Sequence, residues 1–394
     1  MKNRSLWILM AAAFIDMVGF AMVFPLLPFY AMRLGGADWI IGPLIASFSI
    51  AQLASSPLWG RLSDRIGRRP ILLIGLSAAG VAYIVFGLAN SVWLLFLSRF
   101  VQGAGGGTTG VIQAYVSDST DAADRAKGLG WLSASTSAGV MIGPAIGSLA
   151  AHWGPAAPGF LAAGLCALNV LLAWRYLPES RSGQVHAPRR SIRAAVWHVM
   201  RHPGEPVPRL IWIYASGMGA FASMSAVMAL YLHSRFGITE KTIGWIFLYI
   251  GALSVVMRAL VLGWLVDRLG ETRVMQIGAM VLVLGLALYP VPPTIWLAGL
   301  VIPLVPMGTA LLFPSVTALS SGRSDPKEVG QTMGVQQAYG GMARVLGPMW
   351  STPVFQLLGR GAPFEVAAVL MAGVLLMALQ VRGARVQPEP AVAD

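Results

Sequence analysis

Long apolar runs separated by short polar turns make up most of this chain, and nearly every run is long enough to cross a bilayer. With about 20 mostly apolar residues taken as one span, the pattern predicts twelve helices, over 5–31, 39–60, 70–89, 92–116, 126–152, 157–177, 209–233, 242–266, 273–291, 294–320, 328–357 and 362–381. One interior polar stretch is long, 178–208, rich in Arg, His and Pro, and it divides the spans six and six. The predicted fold class is therefore all-α integral membrane: an N-terminal six-helix bundle in 1–177, a cytoplasmic linker in 178–208 and a C-terminal six-helix bundle in 209–394. The opening Met1-Lys2-Asn3-Arg4 imitates a signal peptide, but its apolar run continues to about Tyr30, too far for a cleaved segment, and reads as the first span.

The two halves echo each other. Gly60-Arg61-Leu62-Ser63-Asp64-Arg65-Ile66-Gly67-Arg68-Arg69 returns 203 positions later as Gly263-Trp264-Leu265-Val266-Asp267-Arg268-Leu269-Gly270, each time between two apolar spans. Gly130, Gly143 and Pro144 recur as Gly334, Gly347 and Pro348 at a shift of 204. So steady an offset indicates a duplication, and because an even number of spans separates the copies, their topology is parallel, about an axis along the membrane normal.

Composition narrows the class further. Hydrophobic residues form 56% of the 394 and charged residues 11%, with a mean hydropathy of +0.68. A soluble core of this size could not cover that surplus with polar surface. The net charge of +12 comes from Lys and Arg in short loops, not from a basic face with interleaved aromatics, so nucleic acid is not an expected partner. With both termini, the linker and the loops after even-numbered spans on one side, that side carries 21 of the 28 Lys and Arg. The other side has only Arg33, Arg235, Lys241 and Arg360, which predicts a multi-pass inner (plasma) membrane protein with both termini cytoplasmic.

Chemistry is sparse. The single Cys166 lies in an apolar run and has no intrachain disulfide partner. The five histidines are scattered in loops and at span ends and no G-x-S-x-G is present, so neither an enzyme, a metal site nor a cofactor is expected. Fifteen of the sixteen acidic residues fall in loops or at span ends, and Asp16 is the exception. At a rise of about 1.5 Å per residue from Ser5 it sits about 16 Å deep, near the middle of a hydrocarbon core about 30 Å thick. A bare carboxylate there costs several kcal/mol, which makes Asp16 a candidate to take up and release a proton, or else a helix-packing acid satisfied by a neighbour. Arg99, about 10 Å below the outer face, is at a similar depth and is expected to pair with the deprotonated Asp16. An anchoring role on backbone carbonyls is its alternative.

Small residues mark close helix contacts. Gly103 and Gly107, like Gly106 and Gly110, stand four apart in the fourth span, and Gly139-x-x-x-Gly143-Pro144-x-x-Gly147 gives the fifth a smooth, kinked face. In the charged loop, Asp64 is expected to cap the N-terminus of a facing helix, with the eleventh span's start at Asp325-Pro326-Lys327-Glu328 as partner, while Arg61, Arg65, Arg68 and Arg69 meet acids or lipid phosphates. Arg258, about 13 Å from the inner face, is a cavity candidate, and Arg344, about 6 Å from the outer face, an anchor. Gln52, Gln113, Tyr249, Gln336 and Gln337 are further candidate cargo contacts. The basic interior disfavours a doubly cationic cargo and tolerates a neutral, zwitterionic or anionic amphiphile.

These motifs resemble those of the major facilitator superfamily, and within it the twelve-helix drug:proton antiporters related to tetracycline exporters. The signature loop matches over Gly60–Arg69, the arginine motif over Leu97–Gly107, the antiporter motif over Gly139–Gly147, and the first-span pattern over Asp16, Gly19, Pro25 and Pro28. The resemblance implies a conformational lock at Gly60, Asp64, Arg65, Gly67 and Arg68 with Asp267 and Arg268 in the second half, a proton site at Arg99, and a seal between the halves at Gly143-Pro144. The second loop departs from it, ending in Gly270-Glu271 without paired arginines, and no arginine motif recurs near Pro303. The resulting expectation is a monomeric, proton-coupled exporter of lipophilic or amphipathic small molecules working by alternating access in the lipid bilayer. An uncoupled facilitator or a lipid-like metabolite exporter is the alternative.

Overall fold

The computed structural model describes residues 2–120, 124–179, 192–325 and 328–381, and among these every regular element is helical. The first bundle consists of α1 (Leu6–Arg33), α2 (Asp38–Ile66), α3 (Arg68–Gly87), α4 in two pieces (Val92–Gly106 and Thr109–Ser119), α5 (Lys127–Trp153) and α6 (Ala157–Tyr176). The second consists of α7 (Pro206–Phe236), α8 (Ile243–Leu269), α9 (Glu271–Leu288), α10 (Ile295–Gly322), α11 (Val329–Leu358) and α12 (Ala362–Leu379). In lipid every backbone amide must be satisfied within the chain, so such apolar segments have no alternative to helix. Among the described residues ten of these helices are long and apolar enough to cross a membrane by length and composition. The other two are α4, interrupted at Gly107-Thr108, and α11, whose polar content includes Gln331, Gln336, Gln337, Ser351 and Thr352.

The signature segments are not loops. Helix α2 continues through Asp64 and Arg65 to Ile66, and α8 likewise through Asp267 and Arg268. Only the final glycine turns the chain, Gly67 at φ +107° and Gly270 at φ +76°, a region closed to most side chains. The polar linker also holds a helix, Ile192–Arg201, whose Val196 and Val199 pack on Ile211, Val335 and Tyr339 of the second bundle.

Glycine sets the helix seams. A side chain on Gly139 or Gly143 of α5 would come within 2.6 Å of the Phe14 carbonyl or 2.7 Å of the Val18 carbonyl, and one on Gly147 would strike that of Met22, so the antiporter-motif face lies directly on α1. The second bundle repeats the contact, since a side chain on Gly347 would come within 2.8 Å of the Gly219 carbonyl on α7. The halves meet at a different pair of seams, also related by the repeat. Gly42 of α2 sits on Pro348 and Thr352 of α11, and Gly244 of α8 on Pro144 and Ser148 of α5. The seal implied for Gly143-Pro144 is thus divided: the glycines bind α1 within the bundle, and Pro144, with Met141 and Ser148, meets α8.

These seams lie at the end away from the charged segments. There Thr352 donates to the Trp39 carbonyl (3.1 Å), the Trp39 amide to Gln356 (3.1 Å), Ser148 to the Glu240 carbonyl (2.7 Å), and Arg33 pairs with Glu240. At the charged end the surroundings of Gly60, Gly130, Gly263 and Gly334 are open. These inter-bundle hydrogen bonds and the ion pair thus lie at the end away from the charged segments.

Candidate functional site

Asp16 lines a small cavity of about 30 Å³ inside the first bundle, together with Phe20, Phe48, Gln52, Tyr83 and Gln102, room on the order of a water molecule. Four helices, α1 to α4, bring this wall together. The Phe20 and Phe48 rings lie 5.0 Å apart across α1 and α2, and Tyr83 of α3 packs 3.3 Å from the space beside Gly19, one turn beyond Asp16. Asp16 makes no hydrogen bond or ion pair with any described residue.

Arg99 does not pair with Asp16 in this conformation, contrary to the sequence expectation. It is 1% exposed, with its guanidinium 5.7 Å over the Phe86 ring and its Nε and Nη2 without hydrogen-bond partners. Equal depth along two helices does not fix which way each side chain points. Ser98 binds the Ala82 carbonyl (2.8 Å), which turns this part of α4 toward α3 and leaves Tyr83 between the two charged groups. The Tyr83 hydroxyl accepts from Gln102, whose own carbonyl oxygen is buried and unpartnered. Tyr83 and Gln102 are the members that sequence reading missed. Gln102 stood inside the arginine motif, but nothing local marked Tyr83. With Asp16 and Arg99 they place a carboxyl in a small cavity and a buried guanidinium close by.

The glycine run in α4 produces a break as well as packing. At Gly107-Thr108 the ladder of backbone bonds is interrupted, and α2 captures the released carbonyls: Trp59 Nε1 donates to Ala104 (2.6 Å) and Gln52 to Gly106 (3.2 Å). Gln52 thus both lines the cavity and pins the broken helix. Gln113, beyond the break, is exposed.

At the charged end Asp64 pairs with Arg68 (2.6 Å), and Arg68 also reaches Asp118 (3.2 Å) and the Ser63 hydroxyl (2.6 Å). The acid that caps a helix here is Glu179, beyond α6. Its carboxylate accepts from the Arg68 (2.8 Å) and Arg69 (3.2 Å) amides, at the start of α3 where free amides and the dipole favour negative charge. Asp64 is 64% exposed on its side chain. Its expected partner segment lies partly outside the described residues, at 326–327. Arg61 and Arg65 are exposed, and in the second half Arg268 lies over the Trp264 ring at 4.3 Å beside an exposed Asp267. Glu179→Ala is expected to lower stability by about 1 kcal/mol, read as a small drop in unfolding temperature of the purified protein, with Glu179→Gln intermediate.

In the second bundle Gln336 is fully buried and donates to Thr317 (2.8 Å), so it serves packing and not the cleft wall. Its neighbour Gln337 is exposed and reaches the Tyr214 hydroxyl at 3.5 Å. Tyr249 donates to the Gly299 carbonyl on α10 (3.2 Å). Arg258 is exposed on a π turn, Met257–Val261, that interrupts α8.

The family description that matches residues 9–348 is Major Facilitator Superfamily. The chain is 29% identical to tetracycline resistance protein, class C, of Escherichia coli, over 90% of each chain. It is 28% identical to multidrug resistance protein 2 of Bacillus subtilis (strain 168), over 89% of this chain and 88% of that one. Among solved structures it resembles the human organic anion transporter MFSD10, at TM-score 0.71 and 23% identity over 96% of this chain and 99% of that one. It also resembles the nucleoside transporter NupG, at TM-score 0.75 and 15% identity over 95% of this chain and 97% of that one.

Proposed function

Since the chain belongs to the major facilitator superfamily, we propose that it is a proton-coupled exporter of lipophilic or amphipathic small molecules. It is a multi-pass membrane transporter and not an enzyme. Asp16 carries the coupling part of the proposal: the one acid in the sequence placed within a span lines a cavity beside a buried, unpartnered arginine. The tetracycline and multidrug resistance relatives support export of drug-like molecules.

In this reading the linker and both termini face the cytoplasm, and the bundles 1–177 and 209–394 rock about the cleft between them. The cleft opens toward the charged ends, where cargo enters from the cytoplasm or inner leaflet while Asp16 is deprotonated. The seams at Gly42 and Gly244 then part, a proton from outside neutralises Asp16 and displaces the cargo, and the return stroke delivers the proton inward. Tyr83, held by Gln102, stands beside both the acid and the fixed charge of Arg99, whose field favours proton release once cargo arrives.

A ligand-stabilisation screen across cationic, neutral and anionic lipophiles selects a cargo. In everted vesicles with an acidified interior, its uptake is expected to exceed the rate without a gradient several-fold and to collapse on addition of a protonophore. Equal rates in the two conditions would favour the uncoupled facilitator.

A further inference from the structure

The second bundle places two arginines on the cleft with no acid to neutralise them. Gly244 and Gly251 of α8 both lie against α5, and Arg258 follows at the same interval of seven and is exposed. The π turn begins at Met257 and so presents Arg258 on a locally widened helix, a distortion common at functional sites. From the other side Arg344 of α11 comes within 3.8 Å of the space beside Gly341, at the seam with Leu53 of α2. Tyr214 of α7 lies within electrostatic reach of both guanidiniums; its ring packs on Phe313 of α10 (5.2 Å) and its hydroxyl accepts from Gln337 at 3.5 Å. Neither arginine forms an ion pair or hydrogen bond with any described residue.

An arginine stays protonated; Arg344 is half-buried and Arg258 exposed, and neither has a counter-charge among the described residues. Two such groups within electrostatic reach of one tyrosine gain a counter-charge from an anion that enters with the cargo. Asp16 cannot supply it, because it lies in the cavity of the opposite bundle. We infer that Arg258 and Arg344, with Tyr214 and Gln337, form a subsite for the anionic group of an amphipathic organic acid, a carboxylate in the simplest case. The cargo's apolar body then lies between Phe313 and the Phe20–Phe48 wall. This specifies the cargo class within the exporter reading and rests on it, but the binding chemistry is testable apart from transport.

The test compares naphthaleneacetic acid with its uncharged carboxamide, naphthaleneacetamide, on the full chain in nanodiscs of phosphatidylcholine. The wild type is expected to bind the acid at least tenfold more tightly than the amide. Arg258→Gln/Arg344→Gln is expected to lose that preference while binding the amide as the wild type does, which also shows that the variant is folded. Arg258→Lys/Arg344→Lys is expected to regain part of it. An undiminished preference in the glutamine variant, or no preference or no binding of the acid by the wild type, would overturn the subsite. So would complete competition by added phosphatidylglycerol, which would assign the arginines to lipid headgroups. If gradient-driven uptake of every compound fails in the wild type while the acid preference stands, the exporter reading falls and the subsite remains.

Discussion

Asp16→Asn is expected still to bind cargo, though more weakly than the deprotonated wild type, and to lose its uphill export, with gradient-driven uptake falling by about two orders of magnitude, as expected when a single essential proton-transfer group is removed. The amide matches the carboxyl in size and mimics its neutral form, so the wall formed by Phe20, Phe48, Gln52 and Tyr83 should persist. What disappears is the only group within a span that can exchange a proton for cargo on the proposed cycle. Arg99→Gln is expected to act in the same direction but less completely, because the carboxyl survives while its stabilising charge is lost. Uptake into proteoliposomes with and without an imposed gradient checks both variants. Full uphill export by Asp16→Asn would move the proton path elsewhere.

Gly143→Leu is expected to give the largest loss of stability. Even the first carbon of a side chain there lands 2.7 Å from the Val18 carbonyl and 2.8 Å from the Ala21 Cβ, and backbone cannot yield as a flexible side chain does. Overpacking of this kind costs about 1–3 kcal/mol where neighbours can adjust, and more where they cannot. The displaced element is α1, which carries Asp16, so the variant should lower the unfolding temperature by several degrees and impair export together. Gly130→Leu on the same helix meets open space and should change neither. Thermal unfolding of the two purified variants decides between a packing face and a tolerant one.

Much of the architecture was legible because bilayer thickness imposes a length on every span and the duplication repeats it. Where the reading went astray, the cause was local. Charge at Arg61, Asp64 and Arg65 suggested a loop, yet nothing before Gly67 forbids helix, and α2 carries these residues past the apolar zone. The linker helix escaped notice because Val196 and Val199 form a short apolar stripe among Arg and His. Glu179 gave no signal at all, since it caps a helix start 111 residues earlier in the chain. The site was half legible: Asp16 and Arg99 stood out as charges in apolar runs, whereas Tyr83, which separates them, resembles any other aromatic residue of a span. Depth could be read from spacing, but the direction of Arg99 was set by how α4 packs on α3.

The account turns on Asp16 exchanging its proton for cargo, and the most direct measurement is proton release when cargo binds to the purified protein in weakly buffered solution. Using a compound selected by its stabilisation of the wild type, the account predicts release of up to one proton per cargo bound by the wild type, depending on pH, and none by Asp16→Asn at comparable occupancy. Equal release from both proteins, or none from the wild type at any pH where cargo binds, would contradict it.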